Sequence, residues 1–321
     1  MKTFLAAAAL AVPLSLTTVA QAQRAHGIDV SHFQGNMNWD TAYNQGVRFA
    51  FVRASRGGTQ SGPNPAGFLN DTEFADNVSL LRTQATRAVN PRSVYNGFYH
   101  YGRPDLIAVA NTDTGLNQQP ALQTIINSAK DEAAHFWNVV DQDMSLAGLD
   151  ASRRLRPVLD LEERGGEDGP DAGTTPDTDA LTPTNLSRWA DEFLNEFQRL
   201  SSGIRPILYM NTNYATSFIT SSLADEKLWV ANWTDDPTGN PGDGVFPTWS
   251  FWQYSSAENH LGDEYGASVS EAADIDLNVA NGDINFVRSF LIPEPGGAAL
   301  MLCVGLGYLS TMRSRRPVAR A

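Results

Sequence analysis

The chain has 321 residues, with 36 acids against 23 lysines and arginines and a formal net charge of −13. Such a surface repels nucleic-acid phosphates and anionic lipid, so neither is an expected partner. The one cysteine, Cys303, lies near the C-terminus, so the preceding residues must fold on a hydrophobic core without disulfides.

From the N-terminus, Lys2, the apolar run Phe4 to Leu16 and the small-x-small triplet Ala20-Gln21-Ala22 read as an export signal over residues 1–22. That run is too short to span a bilayer. Residues 23–292 follow, long enough for one large barrel or two small domains. Eight β-rich runs recur along it: Ile28 to Ser31, Phe49 to Arg53, Gly97 to Tyr101, Pro157 to Glu162, Pro206 to Met210, Leu228 to Trp233, Phe251 to Tyr254 and Ile275 to Leu277. Amphipathic helix candidates fall between them at Asp71 to Ala88, Ile125 to Val140 and Thr184 to Leu200, the last opened by the cap-like Thr182-Pro183-Thr184. Leu186, Trp189, Phe193 and Phe197 recur at helical spacing, which marks a core stripe. Strands alternating with helices point to an α/β barrel.

Two stretches read as insertions into that frame. Residues 103–124 are polar and irregular, and residues 163–182 scatter six acids among Gly, Pro and Thr. The acidic stretch lacks the spacing of a calcium loop, so a solvated loop is expected.

The run Arg156-Pro-Val-Leu-Asp-Leu-Glu-Glu163 places Asp160 and Glu162 one residue apart at the end of an apolar strand. Residues i and i+2 of a strand share a face, so the two carboxyls point the same way. Two carboxyls that close cannot both ionise cheaply, and one is held protonated beside an anionic partner, as a general acid requires. In α/β barrels the working groups gather at the C-terminal ends of strands. Those ends carry Asp29, Tyr99 and Tyr101, Asp160 and Glu162, Tyr209, Trp233, Trp252 and Tyr254, and Asp276. This set describes an acidic groove walled by aromatic rings, suited to sugars. His26, His32, His100, His135 and His260 show no metal-ligand spacing, and no nucleophile elbow, cysteine nucleophile or phosphate loop is present. Neither a metal nor a cofactor is therefore expected.

The blocks GIDVSHFQG (27–35), GFYHYGRP (97–104), PVLDLE (157–162), ILYMNTNY (207–214), LWVANW (228–233), FWQYSS (251–256) and IDLN (275–278) occur in one order. In content, order and rough spacing they resemble the family 25 glycoside hydrolases, the Chalaropsis-type lysozymes. The resemblance implies an irregular TIM-like (β/α) barrel with eight strands and fewer than eight helices. It also implies an N-acetylmuramidase acting on the β-1,4 bonds of peptidoglycan, and a monomer is expected. Carried over by position, Glu162 resembles the proton donor and Asp160 the group that orients the substrate acetamido arm, so that the substrate's own carbonyl attacks the anomeric carbon. Direct attack by Asp160 is the other mechanism left open. Asp29 and Asp276 match the flanking acids, and Tyr99, Tyr101, Tyr209, Trp233 and Trp252 are candidate sugar contacts.

One departure is Arg53-Ala54-Ser55-Arg56-Gly57-Gly58, which stands where the family commonly has a Lys-Ala-Thr-Glu-Gly-like block. An arginine in place of an acid changes the charge beside the cleft. Two further readings follow: a glycan-binding matrix protein without turnover, and a hydrolase of an amino-sugar exopolysaccharide.

Residues 293–321 complete the chain. Pro293-Glu294-Pro295 precedes 17 uncharged, largely apolar residues, Gly296 to Met312, and then Arg313, Arg315 and Arg316. This resembles the bacterial PEP-CTERM sorting tail. It implies an exported protein, at the cell surface or extracellular, transiently anchored in the membrane through its tail and handled there by a sorting protease. A plain single-pass anchor is the alternative at this length.

Overall fold

A computed structural model describes residues 23–57, 67–86, 93–109, 119–144, 151–163, 181–255, 261–269 and 275–293. The export signal, nearly all of the C-terminal tail and most of the acidic stretch after Glu163 lie outside them. Among the described residues, no helix is long and apolar enough to cross a membrane.

All eight sequence-predicted strands are present: β1 (His26–Val30), β2 (Val47–Arg56), β4 (Tyr95–Tyr101), β5 (Val158–Asp160), β6 (Ile207–Asn211), β7 (Leu228–Ala231), β8 (Phe251–Ser255) and β9 (Asp276–Ala280). A two-residue strand, β3 (Leu69–Asn70), hangs on the end of β2 as a hairpin. Pairing runs β1-β9-β8-β7-β6-β5-β4-β2, and β2 returns to β1, so the eight strands close into a barrel. From β2 through β8 and between β1 and β2 the pairs are parallel, whereas β9 runs against both β8 and β1. The barrel is therefore mixed.

Among the described residues, seven α-helices accompany the strands: α1 (Trp39–Asn44), α2 (Phe74–Thr86), α3 (Asp105–Val109), α4 (Leu122–Met144), α5 (Pro183–Leu200), α6 (Thr212–Ser217) and α7 (Ile284–Arg288). The three expected helices appear as α2, α4 and α5. Thr182 caps α5 as its sequence implied, its hydroxyl accepting from the Asn185 N–H at 3.3 Å with Pro183 in the first turn. Of the stretch 103–124 read as irregular, Asp105–Val109 form α3 and α4 begins at Leu122, while residues 110–118 lie outside the described residues.

Strand alternation divides the core into two layers. Phe49, Phe51, Val158, Ile207, Trp229 and Phe251 fill the barrel interior, where the rings of Phe51 and Trp229 lie 4.5 Å apart. Val52, Phe98 and Leu159 point outward from the strands and pack against Phe136 of α4 and Trp189 and Phe193 of α5, between sheet and helices. Two interior glycines make room for rings. A Cβ on Gly27 would lie 2.4 Å from the Phe49 ring, and one on Gly97 would lie 2.7 Å from Phe51. The filled interior leaves open space only beyond the strand ends, where the acids stand.

Candidate active site

β5 carries Asp160 at its last position, level with Tyr101 of β4 and Tyr209 of β6. The chain stays extended for two residues more, with the Leu161 N–H donating to the Tyr209 carbonyl at 2.9 Å. Leu161 is thereby buried in the outer layer, while Asp160 and Glu162 face one pocket. β1 brings Asp29 to the same pocket, and Asp276 stands directly opposite it across the antiparallel β1–β9 pair. All four sequence-predicted acids thus converge on a cavity of about 340 Å³.

The acids differ in surroundings. Asp160 is buried, and its Oδ1 has no hydrogen-bond partner. Burial first, then the charges of Glu162 and Asp29, hold its carboxyl well above the usual range. Asp29 is likewise raised by burial and by Asp276, against the opposing effect of two amide donors. Those donors are Asn278 Nδ2 at 2.7 Å and Gln253 Nε2 at 3.0 Å, both to Asp29 Oδ2. Glu162 is exposed at the pocket mouth, where partial desolvation by the surrounding walls, followed by the Glu163 carboxylate, pushes it up to about 7. At neutral pH the Asp160–Glu162 pair therefore retains a proton beside a negative charge.

Tyr99, Tyr101, Tyr209 and Trp233 all line the cavity, and Trp233 is 62% exposed. Tyr101 donates its hydroxyl to Glu163 Oε1 at 2.7 Å. Trp252 is a correction. It is 1% exposed, packs against Trp249 on the outer face of β8, and donates its indole N–H to the Asn232 carbonyl at 2.8 Å. Alternation sends its neighbours Phe251 and Gln253 inward, so Trp252 is a packing residue and Gln253 takes its place at the site.

Gln253 is the main omission of the sequence reading. Its carbonyl accepts from the Tyr209 hydroxyl and the Trp233 indole, each at 2.9 Å, which turns its amide nitrogen toward Asp29. Asn278 is held in the same manner by the Trp229 indole at 2.8 Å. The available signal was alternation: Asn278 is two residues past Asp276, and Trp229 shares a face with Trp233. Arg53, also missed, is the basic residue lining the cavity, where its charge opposes the rise at Asp160 and Glu162. Asp71 holds it through Nε at 2.8 Å, and the same Asp71 oxygen accepts from the His32 N–H at 3.0 Å. Neither Arg56 nor His32 reaches the cavity lining. Phe33, 64% exposed, stands at the rim under the Arg53 guanidinium.

A closed α/β barrel with four carboxyls and a ring of amphipathic aromatics at its strand ends has the architecture of a carbohydrate-cleaving hydrolase. Residues 121–263 match the family described as Glycosyl hydrolases family 25. The chain is similar to that family over this segment, which includes Asp160, Glu162 and Gln253. It is 27% identical over 262 residues to lysozyme M1 of Streptomyces globisporus, covering 80% of this chain and 67% of that protein. With the N,O-diacetylmuramidase of Arthroderma benhamiae it shares 24% identity over 261 residues, covering 80% and 88% of the two chains. The bacterial lysozyme of Streptomyces coelicolor superposes with a TM-score of 0.56 at 22% identity, over 84% of this chain and 97% of that one. At that identity the superposition speaks for the fold.

Proposed function

We propose that the chain is a retaining N-acetylmuramidase that hydrolyses the β-1,4 bonds of peptidoglycan. The observation that carries this reading is the division of labour within the carboxylate pair. Glu162 is open to the cavity and titrates near neutrality, while Asp160 is buried with an oxygen that lacks a donor. A buried acceptor without a donor is costly, and the N–H of a substrate acetamido group supplies the missing one.

In the first step the acetamido carbonyl oxygen, steered by Asp160, attacks the anomeric carbon. The bond to the leaving oxygen breaks, and that oxygen takes the Glu162 proton. The ionised Glu162 then accepts a proton from the water that opens the cyclic intermediate, so the configuration is retained. Asp29, fixed by two amides, and Asp276 opposite it line the pocket beside the developing positive charge. The names of the two curated relatives, a lysozyme and a diacetylmuramidase, support peptidoglycan as the substrate class.

Export through residues 1–22, and membrane-linked processing at the tail beginning Pro293-Glu294-Pro295, belong to the same proposal and rest on sequence pattern. The test of the reaction is reducing-end release from purified peptidoglycan by the parent and by Glu162→Gln. Equal release by a folded Glu162→Gln variant would end the assignment of the proton donor.

A further inference from the structure

The acidic pocket occupies one end of the barrel, and the other end carries a second cleft of about 830 Å³. The segments that lead into the ring strands build it. His26 opens β1, Arg48 and Tyr95 stand at the starts of β2 and β4, Arg153 precedes β5, and Arg288 ends α7. Arg24 joins them, so four of the chain's 23 basic residues line one cleft of a protein whose net charge is −13.

Among the described residues none of these four arginines is ion-paired; the recorded pairs engage His32, His100, Lys130 and other arginines. Neutral groups hold them instead. Arg48 Nη1 donates to the Tyr43 and Val47 carbonyls at 2.9 Å each, and Arg288 Nε donates to the Tyr95 hydroxyl at 2.6 Å. Arg153 and Arg288 both lie 5.7 Å from the centre of the Tyr95 ring. The acid lining the cleft, Asp283, feels the Arg288 charge without forming an ion pair, and its Oδ1 is engaged in capping α7, where it accepts from the Asn285 and Phe286 N–H groups.

Two polar groups remain without partners. Ser93 lines the cleft, is 5% exposed, and has a hydroxyl with no hydrogen bond; Arg153 Nε is also unpartnered. Grouped guanidiniums repel one another, and buried donors left unsatisfied are costly. An oxyanion relieves both, because its oxygens accept from guanidinium forks and from a hydroxyl.

We propose that this cleft binds the phosphate or carboxylate groups of an anionic polymer, tethering the chain by the end of the barrel opposite its acidic pocket. Two probes distinguish the sources, polyphosphate and polygalacturonate, titrated calorimetrically into the full-length chain at low and raised salt. At least one is expected to bind with an affinity that falls as salt rises. Binding of polyphosphate alone assigns the ligand to phosphorylated polymers, binding of polygalacturonate alone to uronate polymers, and binding of both to the oxyanion in either setting.

The double variant Arg153→Gln/Arg288→Gln is expected to weaken binding about tenfold or more, since each charge-assisted pair is among the strong hydrogen bonds. Arg153→Lys keeps the charge but loses the planar fork, and is expected to cost several-fold should the double variant fail to fold. Glu162→Gln should bind like the parent, which separates this site from the proposed chemistry. No binding of either probe, or undiminished binding by a folded double variant and by Arg153→Lys, would overturn the proposal.

Discussion

Glu162 and Asp160 are separated by one leucine, yet they occupy opposite environments. Glu162 meets solvent at the pocket mouth and Asp160 lies at its base. Replacing Glu162 by Gln preserves shape and removes the transferable proton, so turnover is expected to fall by about 10²–10⁴, the usual contribution of general acid catalysis. For the parent, activity should decline as pH rises through about 7, where Glu162 loses that proton. Stability carries a sign of its own. The folded pKa of Glu162 lies above the ordinary glutamate value of 4.5, so the stability it lends is complete below 4.5 and lost as pH rises through about 7. Glu162→Gln is therefore expected to melt above the parent at pH 8 and level with it at pH 4. The exposure of the carboxyl keeps this difference modest. A melting difference at pH 8 that is zero or reversed would contradict the raised pKa.

At the scale of elements, the eight strands were legible because each combines β-branched or aromatic residues with an abrupt polar end, and α5 because its apolar stripe and Thr182-Pro183 cap agree. The four acids were legible for the same reason, each lying at a strand end or within two residues of one. What misled was the choice of face in β8. Trp252 has the chemistry of a sugar platform, but alternation assigns the inward positions to Phe251 and Gln253, and a glutamine between aromatics offers little signal by itself. Arg53 was obscure because its place depends on Asp71, which a separate segment supplies. The β9 reversal was likewise hidden, since strand direction follows from connections rather than from strand composition.

The interior packing of these elements makes a direct test. Gly27→Ala drives a methyl to 2.4 Å from the Phe49 ring and is expected to cost about 1–3 kcal/mol, with Phe49→Leu in the same chain restoring part of it. Phe193→Ala, on the buried stripe of α5, is expected to cost about 3–5 kcal/mol. Urea midpoints with an unchanged slope would measure both effects. Wild-type midpoints for either single variant would contradict the packing described.

For the whole molecule, closing the barrel and assembling the pocket are one event. Asn278 reaches Asp29 across 249 residues of sequence, and the contact exists only when β1 has seated between β2 and β9. Loss of activity and loss of secondary structure in urea should therefore follow one curve, as expected of a cooperative unit. The seated barrel also separates two charge environments, an acidic pocket at one end and an arginine-lined cleft at the other. The central claim, that Glu162 drives cleavage next to muramic acid, is tested most directly on insoluble peptidoglycan. The glycan is digested with the parent and with Glu162→Gln, the new ends are reduced with borohydride, and the reduced sugar is identified by mass spectrometry. Reduced muramic acid from the parent and almost none from the variant is the expected result. Reduced glucosamine ends, or no new ends from the parent, would contradict it.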